Sequence, residues 1–321
     1  MNLHGSDSDS SEDDNHGVQD ILTVRQMMKI GLSILQFTER KIIRAKHRTN
    51  RKRFISHYGC SPRVASMVYE DLQRTQIADA KVSGKELQVR FFLMALHTLK
   101  VYPTEAQREA TFHYSPSYAR KWVWFYVEKV ASLKAEKIVW PADNFGNDAK
   151  WVISVDGTHF WIQEPQHPEW SQDEKYYSHK YNKAGLNYEL ALDLTCNRLV
   201  WMNGPFPAGT NDMKVFIDHG LKDKLIAAKK VAIGDGGYSG HPEVVSSPNP
   251  LDDYDVKLFK SRALKRQEKF NGHIKTFHAL DGRFRHSIGR FKSVFEAVCV
   301  ICQYQIETDK PLFDILVEGI L

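Results

Sequence analysis

The spacing of hydrophobic residues divides the chain into a helical first part and a strand-rich second part. From Ile21 to about residue 140, apolar residues return every three or four positions, the period of a helix that buries one face. Ser61-Pro62 supplies a residue favoured at a helix N-cap and one favoured in the first turn. Residues 87–99 predict a strongly apolar helix. We therefore expect residues 54–140 to be all-helical.

Two of these predicted helices suggest a DNA-binding hairpin. Residues 104–110 form one helical segment, and Ser115-Pro116 starts a long helix that runs to Lys134. The second helix carries Arg120 and Lys121, and in a helix-turn-helix motif the second helix contacts DNA. Helical hairpins that bind nothing are also common, so a structural hairpin and a DNA-binding one both stay open.

After a turn-rich boundary at residues 141–147, the hydrophobic pattern becomes that of strands. Strands are predicted at residues 151–157, 186–194, 199–202, 230–237 and 254–259, and helices at 212–225, 263–280 and 291–306. This order is typical of a ribonuclease-H-like domain, an α/β fold whose mixed sheet is flanked by helices. We divide the chain into a disordered acidic tail at 1–17, a helical candidate DNA-binding region at 18–145 and an α/β domain at 146–321.

Composition narrows the function classes without selecting one. The 321 residues are 42% hydrophobic and 12% aromatic, which allows a sizeable core, and the net charge of +5 suits a polyanionic partner. The four cysteines form no dense framework, which favours a reducing compartment. Cys299 and Cys302 lie in an apolar helical run and are expected in the core. We expect no signal peptide in the polar tail, and no membrane span, because no apolar run reaches about 18 residues.

Three basic segments are candidates for contact with nucleic acid. Residues 40–53 suit an exposed helix face, a nuclear import signal or a phosphate-contacting arm. Residues 175–183 interleave cations with aromatic residues, which suits either a lysine-protected edge or phosphate contact with base stacking. A third cluster follows residue 280. The candidate DNA-contacting residues are Lys175, His179, Lys180, Lys183, Arg283 and Arg285, together with Arg120 and Lys121 of the helical hairpin.

Two aspartates end apolar strands and are each followed by glycine. Asp156 closes the predicted strand at 151–157, and Asp235 closes the one at 230–237. If these strands are adjacent and parallel, the two carboxylates come close together at the rim of the sheet. A divalent cation relieves the repulsion between them, and carboxylate oxygens suit Mg²⁺ or Mn²⁺. The structural alternative is an aspartate that closes a strand-to-loop turn.

A third acid should come from a neighbouring helix, and Glu268 is the candidate. Phe270, Ile274 and Phe277 form the apolar face of that predicted helix. Glu268 lies roughly opposite this face, which favours a solvated side chain. Glu296 and Asp281 are the competing candidates.

Four blocks of the second part resemble, in the same order, those of Harbinger-type DDE transposases. They are VDGTH at residues 155–159, GPFPAGTND at 204–212, GDGGY at 234–238 and EKFNGHIK at 268–275. The resemblance covers residues 151–313. The helical region at 18–145, called the leader below, also resembles the family but less specifically. The chain departs from the family in having Asn211 where a histidine usually stands nearby and Gly236 where serine is common. Neither departure removes a carboxylate.

The resemblance implies a ribonuclease-H-like core in which Asp156, Asp235 and Glu268 bind two Mg²⁺ or Mn²⁺ ions. It implies cleavage of double-stranded DNA at element ends and strand transfer into a target. It also implies a nuclear location, in line with the basic run, a Myb-like DNA-binding partner protein and a homo-oligomer as candidate assemblies. Two alternatives stay open: a non-catalytic DNA-binding protein derived from a transposase, and a different metal-dependent nuclease or phosphatase.

Overall fold

The fold is that of a computed structural model of the chain. It describes residues 22–75, 85–141, 145, 149–163, 174–178, 180 and 182–315. The predicted acidic tail at 1–17 and the candidate residue His179 lie outside the described residues.

The first part of the chain is helical, as predicted for residues 54–140. Thr23 and Thr104 each begin a helix with a capping box, in which the hydroxyl and a glutamine three residues later satisfy free backbone groups. Ser61 accepts from the backbone N–H of Val64 at 3.2 Å, which confirms the predicted helix start. The helices are α1 (Val24–Ile34), α2 (Glu39–Arg44), α3 (His47–Tyr58), α4 (Pro62–Thr75), α5 (Lys85–Val101), α6 (Glu105–Phe112), α7 (Pro116–Ser132) and α8 (Lys134–Lys137).

The predicted hairpin is formed by α6 and α7. His113 ends α6 with a left-handed backbone (φ 59°), and Pro116 opens α7 at its first turn. The Arg120 guanidinium on α7 lies 3.1 Å from the Glu105 carboxylate on α6. The two helices are confirmed, whereas their contact with DNA stays a prediction.

The second part forms a six-stranded mixed sheet. Its strands are β1 (Trp151–Trp161), β2 (Tyr177–Ser178), β3 (Lys183–Asp193), β4 (Leu199–Pro207), β5 (Val231–Ile233) and β6 (Val245–Ser246), in the order β2-β3-β1-β5-β6 with β4 also paired to β3. β1 pairs antiparallel with β3 and parallel with β5. The two aspartate-bearing strands are therefore adjacent and parallel, as expected.

Asp156 does not end its strand, which corrects the prediction. β1 continues to Trp161, because its pairing with β3 runs on from Asp156 opposite Leu190 to Trp161 opposite Gly185. Asp156 thus belongs to the middle of a central strand, where its backbone pairs with β3, two residues beyond the last β1 residue that pairs with β5.

One strand prediction and one helix prediction for the second part were also wrong in detail. Residues 254–259, predicted as a strand, open a long helix whose buried residues, among them Phe259, Ala263 and Phe270, return at helical spacing. The helix expected at 212–225 is broken at Gly220, which has a φ of 97°. The helices are α9 (Asp212–Asp218), α10 (Leu221–Ala228), α11 (Tyr254–Ile274), α12 (His278–Asp281) and α13 (Ile288–Thr308).

The helix α13 joins the two parts through one hydrophobic core. It packs against α7 and α4 on one side and contacts β4 and α11 of the second part. Phe295 stacks on Tyr188 of β3 with ring centroids 3.7 Å apart and contacts Phe160 of β1 at 5.0 Å. Cys299 and Cys302 are fully buried, which confirms them as core residues. The predicted domain boundary at residues 145/146 stays a prediction.

No helix in the described part of the chain has both the length and the apolar character needed to cross a membrane.

A buried histidine in the leader should make stability depend on pH. His97 is 4% exposed on α5, and burial, followed by the nearby His57 and Arg108, lowers its pKa to about 4. As the pH falls, His97 takes up a proton in the unfolded chain before it does so in the folded protein. The contribution of neutral His97 to stability is therefore complete above about pH 6.5 and is lost progressively as the pH falls towards 4.

We expect the free energy of unfolding of His97→Phe to fall less than that of the wild type between pH 7 and pH 5, by about 1–2 kcal/mol. Denaturant titrations at both pH values measure this difference. The exposed His47 provides the matched control, His47→Phe, which should follow the wild type. An equally steep loss in His97→Phe would show that His97 does not link folding to protons.

Candidate active site

Asp156 is held by a chain of buried amides on α11. The Asn271 Nδ2 donates to Asp156 Oδ2 at 2.7 Å. The Asn271 Oδ1 in turn accepts from Gln267 Nε2 at 3.4 Å, and Ser154 Oγ on β1 donates to Gln267 Oε1 at 2.9 Å. Ser154 and Gln267 are fully buried, so this chain fixes α11 against β1. The orientation of Asp156 is thus set before any ligand binds.

Asp235 is held by the turn that follows β5. The backbone N–H of Gly237 donates to Asp235 Oδ1 at 2.8 Å, so the carboxylate caps the short 3-10 helix Gly236–Tyr238. Ser247 Oγ donates to the backbone carbonyl of Asp235 at 2.8 Å. Local turn chemistry therefore fixes both the backbone and the side chain of Asp235.

A third aspartate, which the sequence analysis did not select, lies at the same place. Asp212 is the first residue of α9, whose N-cap is Asn211. Asn187 Nδ2 on β3 donates to Asp212 Oδ1 at 2.8 Å. The signal was present in the sequence, because Asp212 ends the block GPFPAGTND that entered the family resemblance.

The three aspartates are close enough for their charges to affect one another. Burial raises the pKa of Asp156 to about 7, and the charges of Asp235 and Asp212 add to the rise. Burial also raises the pKa of Asp212; the hydrogen bond from Asn187 opposes this and the charge of Asp235 adds to it. Lys180 lowers the pKa of both Asp156 and Asp212, which places this candidate DNA-contacting residue beside the carboxylates.

Two glycines leave the space that these carboxylates occupy. A Cβ on Gly157 would lie 2.3 Å from Asp212 Oδ1, closer than real Cβ contacts come. A Cβ on Gly237 would lie 3.0 Å from Asp235 Oδ1 and 3.6 Å from Asp212 Oδ2. Gly157 directly follows Asp156, so the glycine seen in the sequence has a steric reason: it makes room for Asp212.

Glu268 is placed differently from the aspartates. It is exposed on α11, three residues before Asn271, and makes no hydrogen bond or ion pair with any other described residue. The α11 side chain that reaches Asp156 is that of Asn271. Of the competing candidates, Glu296 pairs with Lys134 at 2.9 Å, and Asp281 is exposed at a pocket that also includes His159 and Lys275.

The candidate DNA-contacting residues fall into two groups. Lys180 is near Asp156 and Asp212. Lys183 and Arg283 contact the Trp161 ring at 4.4 and 5.9 Å, at the far end of the strand that carries Asp156. The others are engaged with their own surroundings. Lys175 lies 5.3 Å from the Tyr176 ring, and Lys121 lies 5.2 Å from the Trp122 ring. Arg120 pairs with Glu105. Arg285 contacts the Tyr102 ring at 4.1 Å and donates to the Tyr102 carbonyl.

The donor set suits a hard divalent cation. Carboxylate oxygens are the preferred ligands of Mg²⁺ and Mn²⁺, and a cation relieves the mutual repulsion that raises the pKa of Asp156. Among the described residues, no three His, Cys, Asp or Glu side chains already stand at metal-binding distances from one another. Asp212 and Asp235 both lie beside Gly237, and Asp156 is near enough to feel both charges, so the nearby donors are carboxylate oxygens.

Comparison with known proteins finds a family that resembles the region around these residues. Residues 155–303 match the family model of the DDE superfamily endonucleases. The matched region contains Asp156, Asp212, Asp235 and Glu268. The family is one of transposase-like nucleases that generally use divalent metals, and such a domain implies DNA as substrate. No curated protein and no solved structure matches the chain.

Repulsion between neighbouring carboxylates should destabilise the fold when no cation is bound. We expect Asp156→Asn, which keeps an oxygen to accept from Asn271, to raise the free energy of unfolding at pH 8 in chelator by about 1–2 kcal/mol. Chemical denaturation measures the change, and Asp218→Asn on the exposed face of α9 is the matched control. A less stable Asp156→Asn protein would mean that repulsion does not dominate this site.

Proposed function

We propose that this chain is a divalent-metal-dependent DNA endonuclease of the DDE transposase type, which cleaves phosphodiester bonds and transfers the freed strand. The observation that carries the proposal is the convergence of Asp156 and Asp235 from adjacent parallel strands within the matched region at 155–303. The four sequence blocks support a Harbinger-type enzyme with a ribonuclease-H-like core.

Asp156, Asp235 and Glu268 are the proposed ligands of the Mg²⁺ or Mn²⁺ ions. When bound, such ions lower the pKa of a water molecule and stabilise charge on the leaving oxygen. The protein's own contribution is to hold the ligands in place. Asn271 orients Asp156 through its amide, and the Gly237 backbone orients Asp235. No covalent nucleophile is required of the protein.

The assignment of Glu268 as a metal ligand rests on the family resemblance of residues 268–275. Its exposure leaves the carboxylate free to turn towards DNA-bound cations, one helical turn from the amide that holds Asp156.

The cations beside the site are proposed to hold the DNA backbone. Lys180 is near Asp156, and Lys183 and Arg283 contact Trp161 at the end of the same strand. Trp161 offers a ring on which an unpaired base can stack. We further propose a nuclear location and, from the resemblance, a Myb-like DNA-binding partner and a homo-oligomer.

One observation favours a second candidate, a non-catalytic DNA-binding protein derived from a transposase. The proposed third acid, Glu268, makes no hydrogen bond or ion pair with any other described residue, whereas Asp156 and Asp235 are fixed by hydrogen bonds. Such a protein binds duplex DNA and does not nick it in the presence of Mg²⁺ or Mn²⁺.

We expect Asp235→Ala to abolish Mn²⁺-dependent cleavage of labelled duplex DNA while leaving DNA binding intact. Asp156, Asp235 and Glu268 each supply oxygen ligands, and losing them weakens the binding of the cation. Glu268→Gln should therefore lower the cleavage rate by about a hundredfold or more. Gel assays of cleavage and binding separate the two effects, with Asp218→Ala as control. Full cleavage by Asp235→Ala would end the assignment, and full cleavage by Glu268→Gln would remove Glu268 from the site.

Reversing one cation beside the site should weaken DNA binding and flatten its salt dependence. Each lost phosphate contact reduces the slope of log Kd against log salt by about one. We therefore expect a lower slope for Lys183→Glu than for Lys257→Glu, a reversal at the opposite end of α11 from Asn271. Fluorescence anisotropy across a salt series measures both. Equal slopes for the two variants would show that Lys183 does not contact phosphate.

A further inference from the structure

We propose that Asp212 is an additional metal ligand, which binds a divalent cation together with Asp235 on the sheet face opposite α11. The inference deepens the proposed function, because it rests on the same site binding a divalent cation. It adds a residue that neither the sequence motifs nor the family match singles out.

The position of Asp212 places its carboxylate against that of Asp235. Its Oδ2 and the Oδ1 of Asp235 both lie within 3.6 Å of the point where a Cβ of Gly237 would stand. The absence of that Cβ leaves an open space between the two carboxylates. Gly157 leaves a matching space on the β1 side, next to Asp212 Oδ1. The absence of side chains at the two glycines therefore leaves room for the carboxylates of Asp212 and Asp235 to lie beside the same space.

The orientation of Asp212 is set by the fold. Asn211 caps α9 by accepting from the backbone N–H groups of Met213 and Lys214, which fixes the first turn of that helix. Asn187 then donates to Asp212 Oδ1 at 2.8 Å, leaving Oδ2 on the side of Asp235. A supporting residue that orients a carboxylate in this way is the usual companion of a metal ligand.

A second, independent observation is a set of buried polar atoms without partners behind Asp212. The Tyr238 hydroxyl, Glu189 Oε1 and Asn187 Oδ1 have no hydrogen-bond partner among the described residues, and these side chains are 1%, 2% and 8% exposed. The hydroxyl of Tyr238 is close enough to Glu189, Asp212, Asp156 and Asp235 to feel the charge of all four. Buried polar groups are normally satisfied. Here they face the carboxylate cluster and supply partners for a cation and its water molecules.

The two faces of the sheet divide the carboxylates. Gly157 pairs with Glu189 across β1 and β3, so Asp212, Asn187 and Glu189 lie on one face. Asp156 is the next residue along β1 and contacts Asn271 of α11 on the opposite face. Asp235 stands at the end of the neighbouring strand, within reach of both sides. It is thus the carboxylate that Asp156 and Asp212 share.

The chemistry of the donors selects the ligand class. Asp212, Asp235, the Asn187 carbonyl group and the Tyr238 hydroxyl offer only oxygen atoms, which suits Mg²⁺ or Mn²⁺ better than zinc or copper.

The test is Mn²⁺ binding by the full-length chain, followed by the loss of the free-ion electron paramagnetic resonance signal. Asp212→Asn removes the charge but keeps an oxygen for the hydrogen bond from Asn187. We expect it to weaken Mn²⁺ binding at this position by more than about tenfold, since even losing an outer partner of a ligand costs about that much. Asp218→Asn, on the same helix and exposed, should bind as the wild type does.

Thermal melts give a second readout that does not depend on activity. We expect metal-free Asp212→Asn to melt no lower than the wild type, because it relieves repulsion, and to gain less from added Mn²⁺. Asp212→Ala provides a replacement should the asparagine variant fail to fold. Wild-type Mn²⁺ affinity and a wild-type thermal shift in a folded Asp212 variant would overturn the role of Asp212.

The outcomes separate this inference from the proposed function. If Asp235→Asn loses Mn²⁺ binding while Asp212→Asn retains it, the inference fails and the endonuclease proposal stands. If the wild type binds no Mn²⁺ at all, with or without duplex DNA, both fail together.

Discussion

Repulsion between carboxylates that the fold forces together is the constraint on which the rest of this structure depends. Asp156 sits in the middle of a central strand and has a pKa of about 7, because it is buried and faces Asp235 and Asp212. A protein gains nothing in stability from such an arrangement. The surrounding structure nevertheless maintains it through a buried amide chain on α11, a capped turn after β5 and an asparagine on β3. Functional sites commonly retain such unfavourable interactions even though these lower the stability of the fold.

The remainder of the fold is organised to keep these elements in register. β1 pairs antiparallel with β3 through Asp156 and parallel with β5 up to Ser154, so the β3 ladder holds Asp156 and the β5 ladder holds the residues just before it. α13 presses against β3 and β1 through Phe295 and against the helical leader through α7. Packing of the leader therefore supports the strands that carry the site. Lys180 is near Asp156, and Lys183 contacts Trp161 at the end of the same strand.

The sequence predicted the parts of this arrangement that depend on local patterns. Apolar strands that end near aspartate and glycine predicted the neighbouring positions of Asp156 and Asp235, and helical spacing predicted the leader. It did not give the roles of Asn271 and Asn187, because these depend on contacts between distant segments, and it marked Asp212 only as part of the block GPFPAGTND. Residues 254–259 were assigned to a strand because six residues are too few to separate the two periods; only burial at Phe259, Ala263 and Phe270 shows the helix. The exposure of Glu268, by contrast, agrees with its predicted place opposite the apolar face of its helix.

The central claim is that the fold brings Asp156 and Asp235 together in order to bind a divalent cation. The most direct measurement is a crystal structure of the full chain soaked in Mn²⁺, with anomalous diffraction recorded near the manganese absorption edge. The account predicts an anomalous peak in contact with carboxylate oxygens of both Asp156 and Asp235. Well-ordered aspartates with no peak between them, at Mn²⁺ concentrations that saturate ordinary carboxylate sites, would contradict it.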